Sequence, residues 1–400
     1  MNVIAEHLGA IKQSAASTAS ARAAELIRQG RDIIRLTAGE PDFETPEHVQ
    51  LAGIRAIIEG KTKYPPIPGI LPLREAICRK LKKDNGLTYA PEQVIAGAGC
   101  KQVIYNALGV TLNPGDEVVI PAPYFGCYVD QTLLNRGVPV VIESRPAERF
   151  KLTPERLEAA LTPRSKWLIL NNPGNPSGTV YDPADLEALA EVLRRHPQVW
   201  LLSDDIYEHL IYEGAAFHSI LEFAPDLGER TLVVNGFSKT YCMTGWRLGY
   251  GAGPITLIKN MVKLQSQSTS GACSISQWAG VAALDGDHGF AVRNRAVFQQ
   301  RRDRVVERIN AIDGLSCVTP QGAFYVFIAC EGLLGRRTPD GKVLEGEGDV
   351  VDFLLHEAEV AVINGASFGL SPFIRISFAA KTELLDEACR RIAAACARLK

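Results

Sequence analysis

The feature that most restricts this chain is the regular alternation of short apolar runs with helical patterns through its middle. The runs fall at Gln93–Ala96, Glu117–Ile120, Val138–Ile142, Trp167–Leu170, Val199–Leu202, Thr231–Val234 and Arg247–Gly251. Runs this short and this uniformly apolar are expected of strands buried on both faces. Between two of them, Asp182-Pro183-Ala184-Asp185 supplies an N-cap, a proline at the first helical position and an acidic third residue. Leu186, Leu189, Ala190 and Leu193 then recur at helical spacing. Strands joined through such helices are βαβ units. The expected fold is therefore α/β, with a mostly parallel sheet covered by helices on both sides.

With 400 residues the chain predicts two domains. The large one is expected over 46–285, and a smaller α+β domain over 1–45 and 286–400, so that an N-terminal arm joins the C-terminal third. The charged stretch Arg293 to Asn310 predicts a long exposed helix leaving the large domain. Apolar runs at Ala323–Ile328, Val360–Ile363 and Phe373–Phe378 predict the small domain's strands, and Gly332 to Gly348 predicts a surface loop.

Composition removes several classes of function. A net charge of -2 leaves no basic footprint for nucleic acid. No apolar run approaches the roughly 18 residues of a membrane span, and Met1 to Ala10 lacks the layout of a signal peptide. The nine cysteines are scattered without a Cys-x-x-Cys, and the seven histidines show no ligand spacing, so neither disulfides nor a metal are expected. A cytoplasmic enzyme is the expectation.

Ligands of open α/β sheets sit beyond the carboxyl ends of the strands. Asn175, Asp204 and Lys239 all follow strands there. Lys239 alone would read as a solvated loop lysine. Its neighbours alter that reading: Gly236 and Gly245 allow close approach of the backbone, and Arg247 offers a fork for a phosphate eight residues on. A lysine beside other cations in a dry pocket has a lowered pKa and can attack a carbonyl. Gly97-Ala98-Gly99-Cys100-Lys101 turns into a helical pattern and supplies N–H groups suited to a phosphate, although its spacing is not that of a dinucleotide site. Arg375 lies inside an apolar strand, where a guanidinium needs an anion. Asp204 in Ser203-Asp204-Asp205-Ile206-Tyr207-Glu208 reads equally as a helix cap or a catalytic group, and Asn171-Asn172-Pro173-Gly174-Asn175-Pro176 reads as a turn. Gly365-Ala366-Ser367-Phe368-Gly369 has the spacing of a hydrolase nucleophile elbow but precedes a strand instead of a helix, so it is set aside.

The run from Ser238 to Tyr250, Ser-Lys-Thr-Tyr-Cys-Met-Thr-Gly-Trp-Arg-Leu-Gly-Tyr, resembles the cofactor-lysine segment of class I aminotransferases, bacterial aspartate aminotransferases in particular. The resemblance extends from about Lys12 to the C-terminal helix, because the motifs above agree in order. It implies a fold-type-I enzyme that uses pyridoxal 5'-phosphate, held as a Schiff base on Lys239, to exchange the amino group of an amino acid with a 2-oxo acid. It gives Asp204 the ring nitrogen, Tyr207 and Asn175 the phenolic oxygen, and Gly99, Cys100, Lys101, Ser238 and Arg247 the phosphate. Phe125 would stack on the ring, Arg375 and Gly39 would receive the substrate α-carboxylate, and Lys12 would reach a distal carboxylate. Tyr64 would reach the phosphate of a neighbouring subunit, with Gln265–Ser270 also facing the partner, so a homodimer is implied. Aspartate is the expected donor and 2-oxoglutarate the expected acceptor. One departure bears on this: Pro123-Tyr124-Phe125 stands where aspartate aminotransferases usually carry Pro-Tyr-Trp, and phenylalanine lacks the indole donor. Aromatic or broader specificity, prephenate-type substrates included, is the alternative. The rivals are a β-lyase or a decarboxylase, a ligand-binding regulator with an aminotransferase-like domain, and an inactive homologue. A carboxylate clamped by Arg375 argues against decarboxylation, and the absence of residues ahead of Lys12 for a DNA-binding module argues against the regulator. The intact Lys239, Asp204 and Arg247 argue against an inactive homologue.

Overall fold

Period-two alternation along each central strand sends apolar side chains to both faces of one sheet. In the computed structural model, which describes residues 3–11 and 13–400, that sheet has seven strands. Their order is Val94–Gly97, Gly249–Ala252, Thr231–Gly236, Trp200–Asp204, Ser165–Asn171, Glu117–Ala122 and Val138–Glu143. Gly249–Ala252 runs antiparallel to both neighbours, and every other pairing is parallel. Leu168, Leu170, Leu201 and Val233 pack on one side against Leu186, Leu189 and Leu193 of the helix Pro183–Arg195. Trp167, Ile169, Leu202 and Val234 pack on the other against Val103, Ile104 and Met261. Burial on both faces is why these strands read as continuous apolar runs. The Asp182 cap forms as expected, with its side chain accepting from the Asp185 N–H.

A second sheet holds the C-terminal part. Ile363–Asn364, Phe373–Ser377, Tyr325–Ala329 and Ser316–Cys317 form four antiparallel strands in that order. Ile34–Arg35 pairs in parallel with Val360–Ala361, which ties the N-terminal segment to this part of the chain.

Three expectations change. The helix Gly289–Asn310 is not simply exposed: Phe298, Val305 and Ile309 enter the core, and Arg301 and Arg302 are buried with them. Arg301 is tolerated there because it forms a two-pronged pair with Asp42, at 2.7 and 2.9 Å. The segment from Gly332 to Gly348 is anchored, with Leu333 and Leu344 fully buried and Arg337 bridged to Val343. The last strand of the large sheet begins at Gly249 instead of Arg247, because Arg247 adopts a left-handed conformation with φ 52°.

Candidate active site

Strand register brings the distant motifs to one end of the large sheet. Asn171 lies opposite Asp204, and Asp204 opposite Val234, three residues before the loop to Ser238 and Lys239. Asn171 joins two of these motifs. Its amide donates to the Asp204 carbonyl at 2.8 Å and its oxygen accepts the Asn175 N–H at 2.8 Å, which fixes the Asn-Pro turn against the Asp204 strand.

Lys239 donates to the Gly39 carbonyl and lies 5.8 Å from the ring centres of both Tyr207 and Phe324. Among the described residues no carboxylate pairs with it. Burial lowers its pKa to about 8, and the Arg375 and Arg247 charges push the same way. Asp204 is buried and accepts from the Tyr128 hydroxyl at 2.6 Å. Burial pushes its pKa up to about 6, and the Tyr128 hydroxyl, the Ile206 N–H and Lys239 keep it from rising further.

Arg375 is 3% exposed and also lacks a carboxylate partner among the described residues. Its guanidinium donates to Asn175 Oδ1 at 3.0 Å and to the Thr37 carbonyl at 2.9 Å, while Nε has no partner. It lies over the rings of Tyr325 and Phe368, 4.4 and 4.8 Å from their centres. Asn175 thus offers its oxygen to Arg375, which leaves its amide N–H free for another acceptor. Tyr207 shares a 2.9 Å hydroxyl contact with Tyr325. Gly39 is required beneath Tyr325, since a Cβ there would come within 2.9 Å of the phenol oxygen.

At the start of the helix Cys100–Thr111, Gly99 has φ +85°, and a Cβ would stand 2.7 Å from Arg247 Nη2. The left-handed backbone of Arg247 directs its guanidinium over this turn, where among the described residues it donates to the Thr244 and Ala98 carbonyls. A helix N-terminus beside an arginine that has no carboxylate partner among the described residues suits a dianion. This helix start suits a phosphate, and the buried Asp204 carboxylate and the buried low-pKa Lys239 suit the rest of pyridoxal phosphate.

Two predicted residues, Lys101 and Gln265, sit differently from expectation. The Lys101 side chain turns away from this turn and lies 5.3 Å from the Phe125 ring centre. It lines a cleft of about 410 Å³ together with Ala15, Phe125, Asn364, Ser367 and Arg375, and only its backbone belongs to the helix start. Gln265 is fully buried, donates to the Ile67 and Ala96 carbonyls at 2.8 and 2.9 Å, and so does not face a partner. Tyr64 is 93% exposed, and a single chain does not bring it to the site. Lys12 lies outside the described residues. Tyr128, Tyr325, Asn171 and Thr37 were not anticipated. Only Asn171 carried a usable sign, its place at a strand end beside the Asn-Pro turn.

Fold and site together define an α/β enzyme built around a phosphorylated aldehyde cofactor and a carboxylate-bearing amine. The model of the family "Aminotransferase class I and II" matches residues 31–392, and the chain belongs to that family of pyridoxal-phosphate-dependent aminotransferases. It is 50% identical to the aspartate/prephenate aminotransferase of Cereibacter sphaeroides over 399 residues, covering 100% of both chains. The crystal structure of the aspartate aminotransferase from Rhizobium meliloti superposes with a TM-score of 0.97 at 49% identity over 100% of each chain. That of the Thermus thermophilus aspartate aminotransferase with maleate gives 0.92 at 42% identity, covering 99% of this chain and 100% of the other. Among the described residues no cluster could hold a metal, and no helix is long and apolar enough to cross a membrane.

Proposed function

We propose that this aminotransferase takes the amino group from aspartate and passes it to a 2-oxo acid such as 2-oxoglutarate. The observation that carries the reading is the buried Arg375, which has no carboxylate partner among the described residues and lies close enough to Lys239 for its charge to help lower that amine's pKa. A buried guanidinium is costly without an anion, and an α-carboxylate accepts two parallel hydrogen bonds from it. The named relatives that act on aspartate, and the maleate in one of the solved structures, support a dicarboxylate.

Pyridoxal phosphate, when bound, supplies the carbonyl that takes up the amino group and a ring that spreads the charge left on the substrate Cα. Gly99, Cys100, the Lys101 N–H, Ser238 and Arg247 would hold its phosphate, and Phe125 would cover its ring. Asp204 would face the ring nitrogen and keep it protonated, and Tyr207 and the Asn175 amide would donate to the phenolic oxygen. Lys239 would hold the cofactor, and its free amine, with a pKa of about 8, would be suited to move the proton at the substrate Cα. Arg375 and the open backbone at Gly39 hold the α-carboxylate, and Lys101 in the cleft is the described cation placed to meet a distal one.

The chain divides on this reading into a large part over 46–285 and a small part from 1–45 and 286–400, with substrate bound between them. We infer a cytoplasmic homodimer. Leu51, Ile54 and Ile58 leave an apolar stripe exposed on the helix Glu47–Ile58, close in sequence to the exposed Tyr64, as an isologous interface would require. A second reading has its own support. Phe125 in place of tryptophan and the small Ala15 and Gly126 in the cleft leave room for larger distal groups such as prephenate. The test is a panel of amino donors, prephenate's amination product among them, each followed by cofactor absorbance without an acceptor. Aspartate should convert the cofactor fastest or nearly so. No conversion by aspartate would defeat the substrate assignment, and a sedimentation experiment showing an active monomer would defeat the dimer.

A further inference from the structure

Asp204 is reached by one side-chain hydrogen bond, and its donor comes from a segment 76 residues away. The Tyr128 hydroxyl lies 2.6 Å from Asp204 Oδ2 in a site where both residues are buried. Tyr128 is itself held on every side. Its N–H donates to the Phe125 carbonyl at 3.0 Å, and its carbonyl accepts from the Thr132 hydroxyl at 2.7 Å. Its ring meets the Phe125 ring edge-on, with centres 5.8 Å apart and planes at 90°. One turn of chain therefore sets both the aromatic ring expected over the cofactor and the donor to Asp204. A hydroxyl placed so rigidly in a dry pocket can only donate, because the facing carboxylate oxygen has no proton to give when charged.

We propose that Tyr128 is a positioning residue for the amino-transfer reaction: its hydroxyl orients the Asp204 carboxylate and keeps it charged, so that the opposite oxygen can hold a proton on the cofactor ring nitrogen. The inference rests on the reading of Asp204 as the ring-nitrogen partner. Lys239, Tyr207, Cys100, Cys127 and Asp205 also face Asp204. Of these only Lys239 is a cation, and its amine is occupied by the cofactor at rest. Tyr128 is then the remaining side chain that favours the charged carboxylate. Without it, Asp204 becomes a stronger base and draws the proton from the ring nitrogen, which weakens the positive charge on the ring.

Tyr128→Phe removes the hydroxyl and keeps the ring. Three changes are expected in the holoenzyme and its cofactor-free form. Affinity of the cofactor-free enzyme for pyridoxal phosphate falls, and the pH midpoint of the bound cofactor's absorbance change moves up. The rate kcat drops about tenfold with little change in KM for aspartate, as loss of a hydrogen bond to a charged group that matters in the transition state predicts. A fluorinated tyrosine at position 128 keeps the shape and strengthens the donor, so its midpoint should move down; this arm stands even if Tyr128→Phe proves unstable. Asp204→Asn run in parallel separates the two readings. If Asp204→Asn is crippled while cofactor affinity and absorbance midpoint are unchanged in both Tyr128 variants, the positioning role is overturned and Tyr128 only packs. If Asp204→Asn is also unaffected, the ring-nitrogen assignment itself falls and this inference with it.

Discussion

The five residues from Asp204 to Glu208 serve two neighbouring charge clusters that are built on opposite principles. Glu208 is buried and saturated: Lys80 pairs with it, Asn85 and Asn235 donate to it at 2.7 Å each, and Lys80 donates to the Asn85 oxygen at 2.7 Å. These partners hold its carboxyl below the ordinary value although burial pushes it up. Four residues earlier the pattern reverses. Asp204 sits above its ordinary value, Lys239 sits below its own, and Arg375 has no anion. A buried charge with every partner present fixes backbone, and a buried charge with partners missing awaits a ligand. Glu208 ties the end of the helix Leu71–Asn85 to the Thr231–Gly236 strand, so the saturated cluster lies beside the strand that ends at Asp204 and the loop that carries Lys239.

The largest effect expected is on Lys239. On the proposed reading Lys239→Ala removes both the cofactor's attachment and the proton carrier, so steady-state turnover should fall by at least about three orders of magnitude, with the fold retained. Near-normal turnover would erase the distinction between the two clusters, since Lys239 would then be only a buried cation.

Glu208→Ala should show the opposite signature. It leaves the buried Lys80 with only the longer 3.9 Å pair to Asp84 among the described carboxylates, so the melting temperature should drop. A stable variant with lost activity would mean that this cluster too is functional.

A subtler difference lies in pH. Between about 8 and its ordinary value of 10.5, Lys239 is neutral in the folded cofactor-free enzyme while its unfolded counterpart still binds a proton. The unfolded state binds more protons there, so stability rises with pH through that window. Asp204 runs the other way: from 3.8 to about 6 the folded state holds the extra proton, and stability falls as pH rises. Cofactor-free Lys239→Ala should therefore melt higher than the parent at pH 7, with the gap closing toward pH 10. Identical melting curves at pH 7 would show that Lys239 carries no burial penalty.

The smallest effect concerns the rim of the site. Phe125→Trp restores an indole donor and should shift preference toward aspartate over phenylalanine by several-fold, about the worth of one modest hydrogen bond. Lys101→Ala should harm aspartate more than phenylalanine. Equal treatment of both substrates by both variants would remove the distal pocket from the account.

The central strands of the large sheet were readable to within about two residues because two-sided burial leaves few polar interruptions in them, and the half-exposed edge strand Val138–Glu143 was readable from its apolar β-branched run. The gathering of Lys239, Asp204 and Asn175 at one end of the sheet was readable because strand ends come together there in such sheets. What escaped was set by tertiary contacts across long separations. Tyr128 meets Asp204 across 76 residues, Tyr325 meets Tyr207 across 118, and Arg301 finds Asp42 across 259. Nothing local distinguishes these tyrosines from ordinary core aromatics, or that arginine from the exposed ones beside it. The direction of the Lys101 side chain is equally a matter of what stands opposite it, here the Phe125 ring.

The central claim is that the incompletely partnered cations are the ones that bind ligand, and Arg375 tests it most directly. The measurement is the single-turnover reaction of holoenzyme with aspartate, followed by cofactor absorbance, in the parent and in Arg375→Leu. Leucine removes the charge and keeps an apolar side chain in the strand. The second-order rate for aspartate should fall about a hundredfold, as loss of a charge-assisted pair to the substrate predicts, while cofactor binding is unchanged. A rate within a few-fold of the parent would contradict the account, because the buried guanidinium would then be structural like Arg301.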